Sequence, residues 1–510
     1  MSIHCHLPAL IAGRAIKRQS IPELALEEFQ QAIVEAVEEG WRVVSLFGSP
    51  DADGAVHLYV VLADDHGSRL YVGSTKLSNR EYPSLTSRCT QVHLFERELA
   101  EQCQVKVTGH PWLKPLRFQR PIFPASHAGA VAEAWVNPSP GVMDFYEVAG
   151  AEVHEVAVGP VHAGVIEPGH FRFQCHGERI FHLEISLGYQ HRGVERALLD
   201  GPNNRSIYYA QTLSGDTTIG HTTAYCQVVE ALAKCQKTAR AQTIRAIALE
   251  LERLANHVGD LGAMSGDVGF LPTASHCGRL RGEFLNMTAA LCGSRFGRGL
   301  ICPGGVRFDL DATAVHGLLA KLDLCGRQTR QAVELLWNAS SVMARFEEIG
   351  VVSRDIAAEL GLVGPAARAS GLARDARHDH PSGLFRFTHI PVSVWDSGDV
   401  FARGYLRWLE IQRSLDFIGT QLRSLPAGTI SSAVGNLSPD HLAVAMVEGW
   451  RGEVCHVALT NLSGRFERYK VTDPSFHNWP GLAMAVRAGE ISDFPLCNKS
   501  FSLSYCGHDL

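Results

Sequence analysis

The strongest constraint on this chain is a helical pattern from about residue 222 to 261. Within it Ile244, Ile247, Ala248, Leu251, Leu254, Ala255 and Val258 recur at steps of three and four, an apolar stripe with charges opposite. Residues 281–291, 318–346 and 405–425 carry further long helical patterns. This part of the chain reads as a helical bundle, with alternating strand patterns through 181–185 at its N-terminal edge.

The first part of the chain differs. Residues 21–40 form an amphipathic helix pattern in which Leu24, Leu26, Phe29, Ile33 and Val37 share a face and Gly40 is a stop signal. Three β-rich runs follow at 41–47, 56–62 and 70–72, separated by turn residues, and then a second helix pattern at about 91–102. Residues 121–150 are rich in Pro and small residues without sustained period and read as a linker. The expected fold is α+β: a small α/β domain over 1–120, the linker, and a mainly helical domain over 151–510.

Composition narrows the class. At 510 residues, 45% hydrophobic and 20% charged, the chain reads as a folded protein of two or three domains. A net charge of −6 without long runs of one sign speaks against nucleic acid as a partner. There is no apolar run near the ~18–20 residues of a spanning helix and no secretory pattern at the start. A cytoplasmic protein is expected, with any membrane association made through partners. The 13 cysteines are scattered, no two closer than nine residues, so no CxxC exists to pre-place two thiolates on one metal. They read as buried thiols in a reducing compartment. No Gly-rich phosphate loop joins a strand to a helix, so the sequence offers no support for direct nucleotide binding.

Several strings are more specific. Glu96-Arg97-Glu98 followed by Gly109-His110-Pro111 resembles the signature of the 30-kDa-type subunit of respiratory complex I. From Gly159-Pro160-Val161-His162 through Glu167-Pro168 the chain resembles group 4 nickel–iron hydrogenase large subunits and the related 49-kDa-type subunit of complex I. The strings His191-Arg192-Gly193-Val194-Glu195, Glu252-Arg253-Leu254 with His257, Asp267-Val268-Gly269, Gly304-Gly305-Val306-Arg307, Gly364 to Arg377 (GPxxRxSGxxxDxR) and Gly398 to Arg403 (GDVxAR) extend the likeness. The whole chain resembles the fused large subunit of formate hydrogenlyase-type complexes.

The departures from that family matter as much. Its nickel–iron centre needs four cysteine thiolates. By the resemblance, Ser214, Thr217, Ser504 and Gly507 stand at those positions, with Cys506 between the last two. The expectation is no metal at that place and no cofactor bound by this chain. A different metal site around Cys506, Cys497 or His508 is a remote alternative. Complex I also lacks these cysteines and uses the cavity for quinone. Here, however, Ile166 and Gly215 stand where its quinone-binding His and Tyr belong, although Tyr208, Tyr209 and Tyr225 lie nearby. Quinone remains open. Glu167 matches the glutamate that passes protons in the hydrogenase branch, and Asp267, His221 and His191 are further proton-relay candidates. Arg368, Arg377 and Arg403 are expected to hold the cavity together through paired carboxylates. The resemblance implies an iron–sulfur small subunit, with its cluster, and antiporter-like membrane subunits as partners. The resulting expectation is a nickel-free subunit of an energy-converting oxidoreductase complex, peripheral on the cytoplasmic face. The alternative is a non-catalytic structural or coupling subunit of such a complex.

Overall fold

A computed structural model describes residues 7–51, 54–124, 141–162 and 166–510. Cys5 and most of the expected linker lie outside them. The fold is α+β, as expected. Near the N-terminus, strands Ala9–Leu10, Arg69–Leu77, Val56–Asp64 and Arg42–Pro50 form an antiparallel sheet in that order. Helices Leu26–Glu38 and His93–Cys103 accompany it, close to the patterns at 21–40 and 91–102. Strands Val153–Val158, His170–His176 and Arg179–Ser186 form a second small sheet.

The bundle is built on the helix Ala239–Asp267, capped at its start by the Thr238 hydroxyl. It packs on Leu271–Cys292 and Val400–Arg423, and Leu271–Cys292 packs in turn on Ala312–Trp337. The pattern at 222–261 is in fact two helices. A core helix, Thr218–Leu232, ends before a short break, and Ala239–Asp267 then starts afresh. Fourteen of the core helix's fifteen residues are buried, from Thr218 to Glu230 and at Leu232, so it has no polar face to mark it as surface.

One sheet was not anticipated. Strands Phe466–Thr472, Gly452–Thr460, His441–Gly449 and Arg14–Lys17 pair antiparallel in that order, with Ala15 opposite Ala443. The N-terminal segment thus contributes an edge strand to the sheet of the second part. The sheet packs on the core helix and, on its other face, on the N-terminal sheet. There Leu442, Val444, Met446, Val457 and Leu459 meet Val44, Phe47, Tyr59, Val61 and Val72. All nine residues of Gly452–Thr460 are buried, which removes the alternation that identifies a half-exposed strand.

A buried ionic cluster joins the two parts. Glu195 accepts from Arg468 (3.0 Å), Lys470 (3.1 Å), Gln102 (2.9 Å) and the backbone N–H of Val471 (2.9 Å). Glu98 accepts from Lys470 (2.8 Å) and Arg117. Arg117 also donates to the carbonyl of His508 at 2.7 Å. The other members of the Glu96-Arg97-Glu98 string act locally: Glu96 accepts from the Leu85 N–H and Thr86 Oγ1 (2.6 and 2.7 Å), and Arg97 donates to the carbonyls of Lys114 and Pro115. Among the described residues no helix is long and apolar enough to cross a membrane.

Candidate functional site

The turn before the core helix and the C-terminal segment meet at one point. Ser214 Oγ and Ser504 Oγ are 2.9 Å apart and buried, although 290 residues separate them. Ser214 donates to Asp216 Oδ1 at 3.0 Å, which leaves Ser504 to donate to Ser214. Ser504 also caps the final short helix, accepting from the Gly507 N–H at 2.9 Å.

Arg451 closes this ring. Its Nη1 and Nη2 donate to the two oxygens of Asp216 at 2.6 and 2.7 Å, a bidentate pair, and Nη1 also reaches Thr217 Oγ1 at 3.2 Å. Burial alone would raise the Asp216 pKa, but the Arg451 guanidinium outweighs it and holds the carboxyl below its ordinary value. The loop that places Arg451 depends on two glycines. A Cβ on Gly364 would lie 2.3 Å from the Arg451 carbonyl, and one on Gly452 would lie 2.8 Å from Gly364 Cα.

Gly507 is hemmed in as well. A Cβ there would sit 2.6 Å from Asp473 Cγ and Oδ2. Asp473 cannot swing aside freely, because it accepts from the Ser475 N–H (2.8 Å) and bonds His221 Nε2 (3.0 Å). These four positions therefore offer three hydroxyls and no side chain, with a guanidinium reaching Ser214 and Thr217. They do not fit a nickel–iron centre, which requires thiolates. Nor do the alternative ligands converge. The Cys506 thiol faces Glu167, His508 bonds Asp509 (3.0 Å) and stacks on Phe476, and Cys497 lies against Gly350. Among the described residues no group of three or more His, Cys, Asp or Glu side chains is placed to hold a metal ion.

Beyond Asp473 a buried chain continues. His221 Nδ1 is 3.1 Å from His456 Nε2, and His456 Nδ1 is 2.8 Å from the Tyr469 hydroxyl. Burial and then the neighbouring His221 hold the His456 pKa well below its ordinary value, so the ring is neutral. Burial raises Tyr469 far above its own. Burial would raise the Asp473 pKa, but its bond to His221 holds the carboxyl below its ordinary value. One direction of donation then satisfies every contact, from Tyr469 to His456 to His221 to Asp473.

Two further carboxyls flank the ring. Glu167 Oε2 accepts from the Tyr505 N–H at 3.4 Å, and Cys506, whose pKa is pushed up to about 11 by burial and then by Glu167, is a neutral thiol beside it. Glu252 accepts from the first N–H groups of the core helix, Ile219 (2.7 Å) and Gly220 (3.1 Å). Burial nevertheless raises its pKa to about 8, and nearby Asp216 adds to the rise.

The four relay candidates thus divide. Glu167 and His221 belong to the site. His191 does not touch the ring: its Nδ1 is 2.7 Å from the Asp509 carbonyl, where it helps clamp the C-terminal segment. Asp267 pairs with Lys499 at the far end of its helix. Arg368 and Arg377 are held by carboxylates, as expected, Arg368 by Glu410 (2.6 Å) and Glu448 (2.7 Å), and Arg377 by Asp375 (2.6 Å) and Glu250 (3.1 Å). Arg403 is a correction: it donates to Ser500 Oγ and to the carbonyls of Gly398 and Gly350, with no carboxylate among its partners. Asp216, Arg451, Asp473 and His456 were not anticipated. Asp216 lies between Ser214 and Thr217, and a charged residue there was the signal available.

Comparison with known proteins supports the resemblance. Residues 267–440 match the family described as respiratory-chain NADH dehydrogenase, 49 Kd subunit. Formate hydrogenlyase subunit 5 of Escherichia coli is 30% identical over 491 residues, covering 91% of this chain and 84% of that one. The carbon monoxide-induced hydrogenase of Rhodospirillum rubrum is 30% identical over 348 residues, 68% of this chain and 96% of that one. An NADH-quinone oxidoreductase subunit of Solibacter usitatus is 28% identical over 344 residues, 66% and 91% of the two chains. Sequence strings, fold and relatives agree: the chain belongs to the family of large subunits that formate hydrogenlyase-type hydrogenases share with complex I.

Proposed function

We propose that this chain is the nickel-free, hydrogenase-like large subunit of a membrane-bound, energy-converting oxidoreductase complex, and that its altered site handles protons instead of a metal. The observation that carries this reading is the Ser214–Ser504 contact closed by Arg451 on Asp216. At the positions where the resemblance puts the family's thiolates, this chain has Ser504 bonded to Ser214, Ser214 to Asp216, and Arg451 to Asp216 and Ser214. Beside that ring stand Glu252, whose raised pKa lets it hold a proton near neutral pH, Glu167 against the Cys506 thiol, and the hydrogen-bonded Asp473–His221–His456–Tyr469 row.

In this reading the chain carries no redox cofactor of its own. Electrons pass through an iron–sulfur cluster in a neighbouring small subunit, and antiporter-like membrane subunits move the ion. The chain sits peripherally on the cytoplasmic face of the membrane through those partners. Quinone is a candidate acceptor, although Ile166 is half exposed and offers a quinone headgroup no hydrogen bond.

The test is the assembled complex, recovered by gentle solubilisation of native membranes with a tag on this chain. The iron–sulfur and antiporter-like subunits should co-purify. Glu167→Gln should assemble normally and lose coupled turnover by about 100-fold or more, the scale of losing a positioned proton carrier. Normal coupling in that variant would favour the second reading, a structural subunit retained for its interfaces. That reading draws on the buried ionic cluster, which shows how much of the recognisable sequence serves assembly of the fold.

A further inference from the structure

At the other end of the core helix lies a cavity of about 630 Å³, separate from the ring around Ser214. Its walls are the C-terminal half of the core helix, the start of Ala239–Asp267, the edge strand Arg14–Lys17 and the turn Gly383–Arg386. The size is that of a pocket for a small organic molecule.

Four cations line it and lack a close acidic partner. Among the described residues, the side chains of Arg14 and Lys234 bond to nothing, and both are exposed. Arg386 donates only to the carbonyls of Pro381 (3.1 Å) and Ala12 (3.2 Å). Lys237 is 3.7 Å from Glu230, but that carboxylate is already occupied by Arg245 at 2.6 Å and the Gly304 N–H at 2.9 Å. The cations also crowd one another. Burial and then Arg14 lower the Arg386 pKa, and burial with Arg245 and Arg386 lowers that of Lys237 against the pull of Glu230. Among the described residues only Lys237 of the four has a carboxylate within reach, Glu230, and that one is shared with Arg245.

The floor is polar in a complementary way. Thr223 and Gln227 are more than nine-tenths buried, and Thr223 Oγ1 and Gln227 Oε1 have no hydrogen-bond partner. Gln227 uses its Nε2 on Ser382 Oγ at 2.9 Å, which fixes Oε1 as the free acceptor. Buried polar atoms without a partner are uncommon in folded proteins, and at a cavity floor water or a bound molecule supplies the partner. At the mouth Phe387 is 82% exposed, an unpartnered ring beside the cations.

We propose that this cavity is a binding site for a small phosphorylated molecule of the nucleotide class. Its phosphates would meet Arg14, Lys234, Lys237 and Arg386, its sugar hydroxyls would donate to Gln227 and Thr223, and its base would stack on Phe387. No Gly-rich loop is needed, because side-chain cations take the place of backbone N–H groups. The site is independent of the ring at the opposite end of the helix, so this inference and the proposed function stand or fall separately.

The experiment is calorimetric titration of the full chain with ADP and, in parallel, adenosine. ADP should bind one to one and saturate at a Kd on the order of 10–100 μM at low salt, weakening as salt rises. Adenosine should bind at least tenfold more weakly. Arg14→Ala and Lys234→Ala, at exposed positions that leave the fold intact, should each weaken ADP several-fold, and Gln227→Leu should weaken it without changing the salt dependence. Absence of saturable binding up to about 1 mM ADP, equal affinity for adenosine, or indifference to both cation variants would overturn the proposal.

Discussion

Two buried polar networks lie close together in this protein and are built for different ends. The cluster between the N-terminal sheet region and the C-terminal sheet sets Glu98 and Glu195 against Arg117, Arg468 and Lys470, each carboxylate met by at least two cations. Although burial works against it, Arg468, Lys470 and Arg117 together hold the Glu195 carboxyl well below its ordinary range, so no proton moves there near neutrality. The ring around Ser214 has one such pair, Arg451 with Asp216, and beyond it keeps groups whose protonation is not locked. Glu252 has only backbone N–H donors, and His221 and His456 bond each other ring to ring. A network with every charge matched holds domains together. One with an unmatched carboxyl such as Glu252 can take up a proton near neutral pH.

The sharpest break between the two is stability. Glu195→Ala leaves Arg468 buried without its carboxylate and Lys470 with Glu98 alone, and should cost about 3–5 kcal/mol in chemical denaturation. A cost under about 1 kcal/mol would mean that the cluster is not the joint described here.

The next difference concerns pH. Glu252 has a folded pKa of about 8 against an ordinary 4.5, so folding favours its neutral form. Its contribution is fully present below the ordinary value and is lost as pH rises through about 8. The wild-type chain should therefore lose stability between about pH 5 and 8 relative to Glu252→Gln, which cannot ionise. Parallel stability curves for the two proteins over that range would show that Glu252 is an ordinary ionised carboxylate.

A smaller effect is expected at Gly507. Gly507→Ala drives a methyl into Asp473 and should destabilise by about 1–3 kcal/mol, the usual range for overpacking. In an Asp473→Ala background, which itself loses a helix cap, Gly507→Ala should cost less than it does in the wild-type chain. An equal cost in the two backgrounds would show that Asp473 is not what occupies this space.

Much of this was legible in the sequence, for physical reasons that also explain the omissions. The helices at 239–267 and 400–423 announce themselves because each is amphipathic over many turns. Asp399 and Asp375 in the GDVxAR and DxR strings prove to be N-caps, bonding the N–H groups of Ala402 and Arg377. The strands at 441–449 and 452–460 were not legible, since burial on both faces erases period two. At the site, the resemblance identified Ser214, Thr217, Ser504 and Gly507 as substituted positions, and the fold brings Ser214 and Ser504 into contact. It could not show what replaced the metal. Arg451 and Asp473 come from distant segments, and only the fold sets them beside Asp216 and Gly507. Asp267 and His191 were chosen for residue type within motifs, and their partners, Lys499 and the Asp509 carbonyl, lie far away in sequence.

The central claim is that a hydrogen-bonded, arginine-closed ring stands where the family's metal would be. The most direct test is elemental analysis of the intact complex, purified without oxygen from native membranes and desalted. The account predicts nickel far below one atom per chain, unchanged in Cys506→Ala. One nickel per chain that survives desalting and disappears in Cys506→Ala would contradict it.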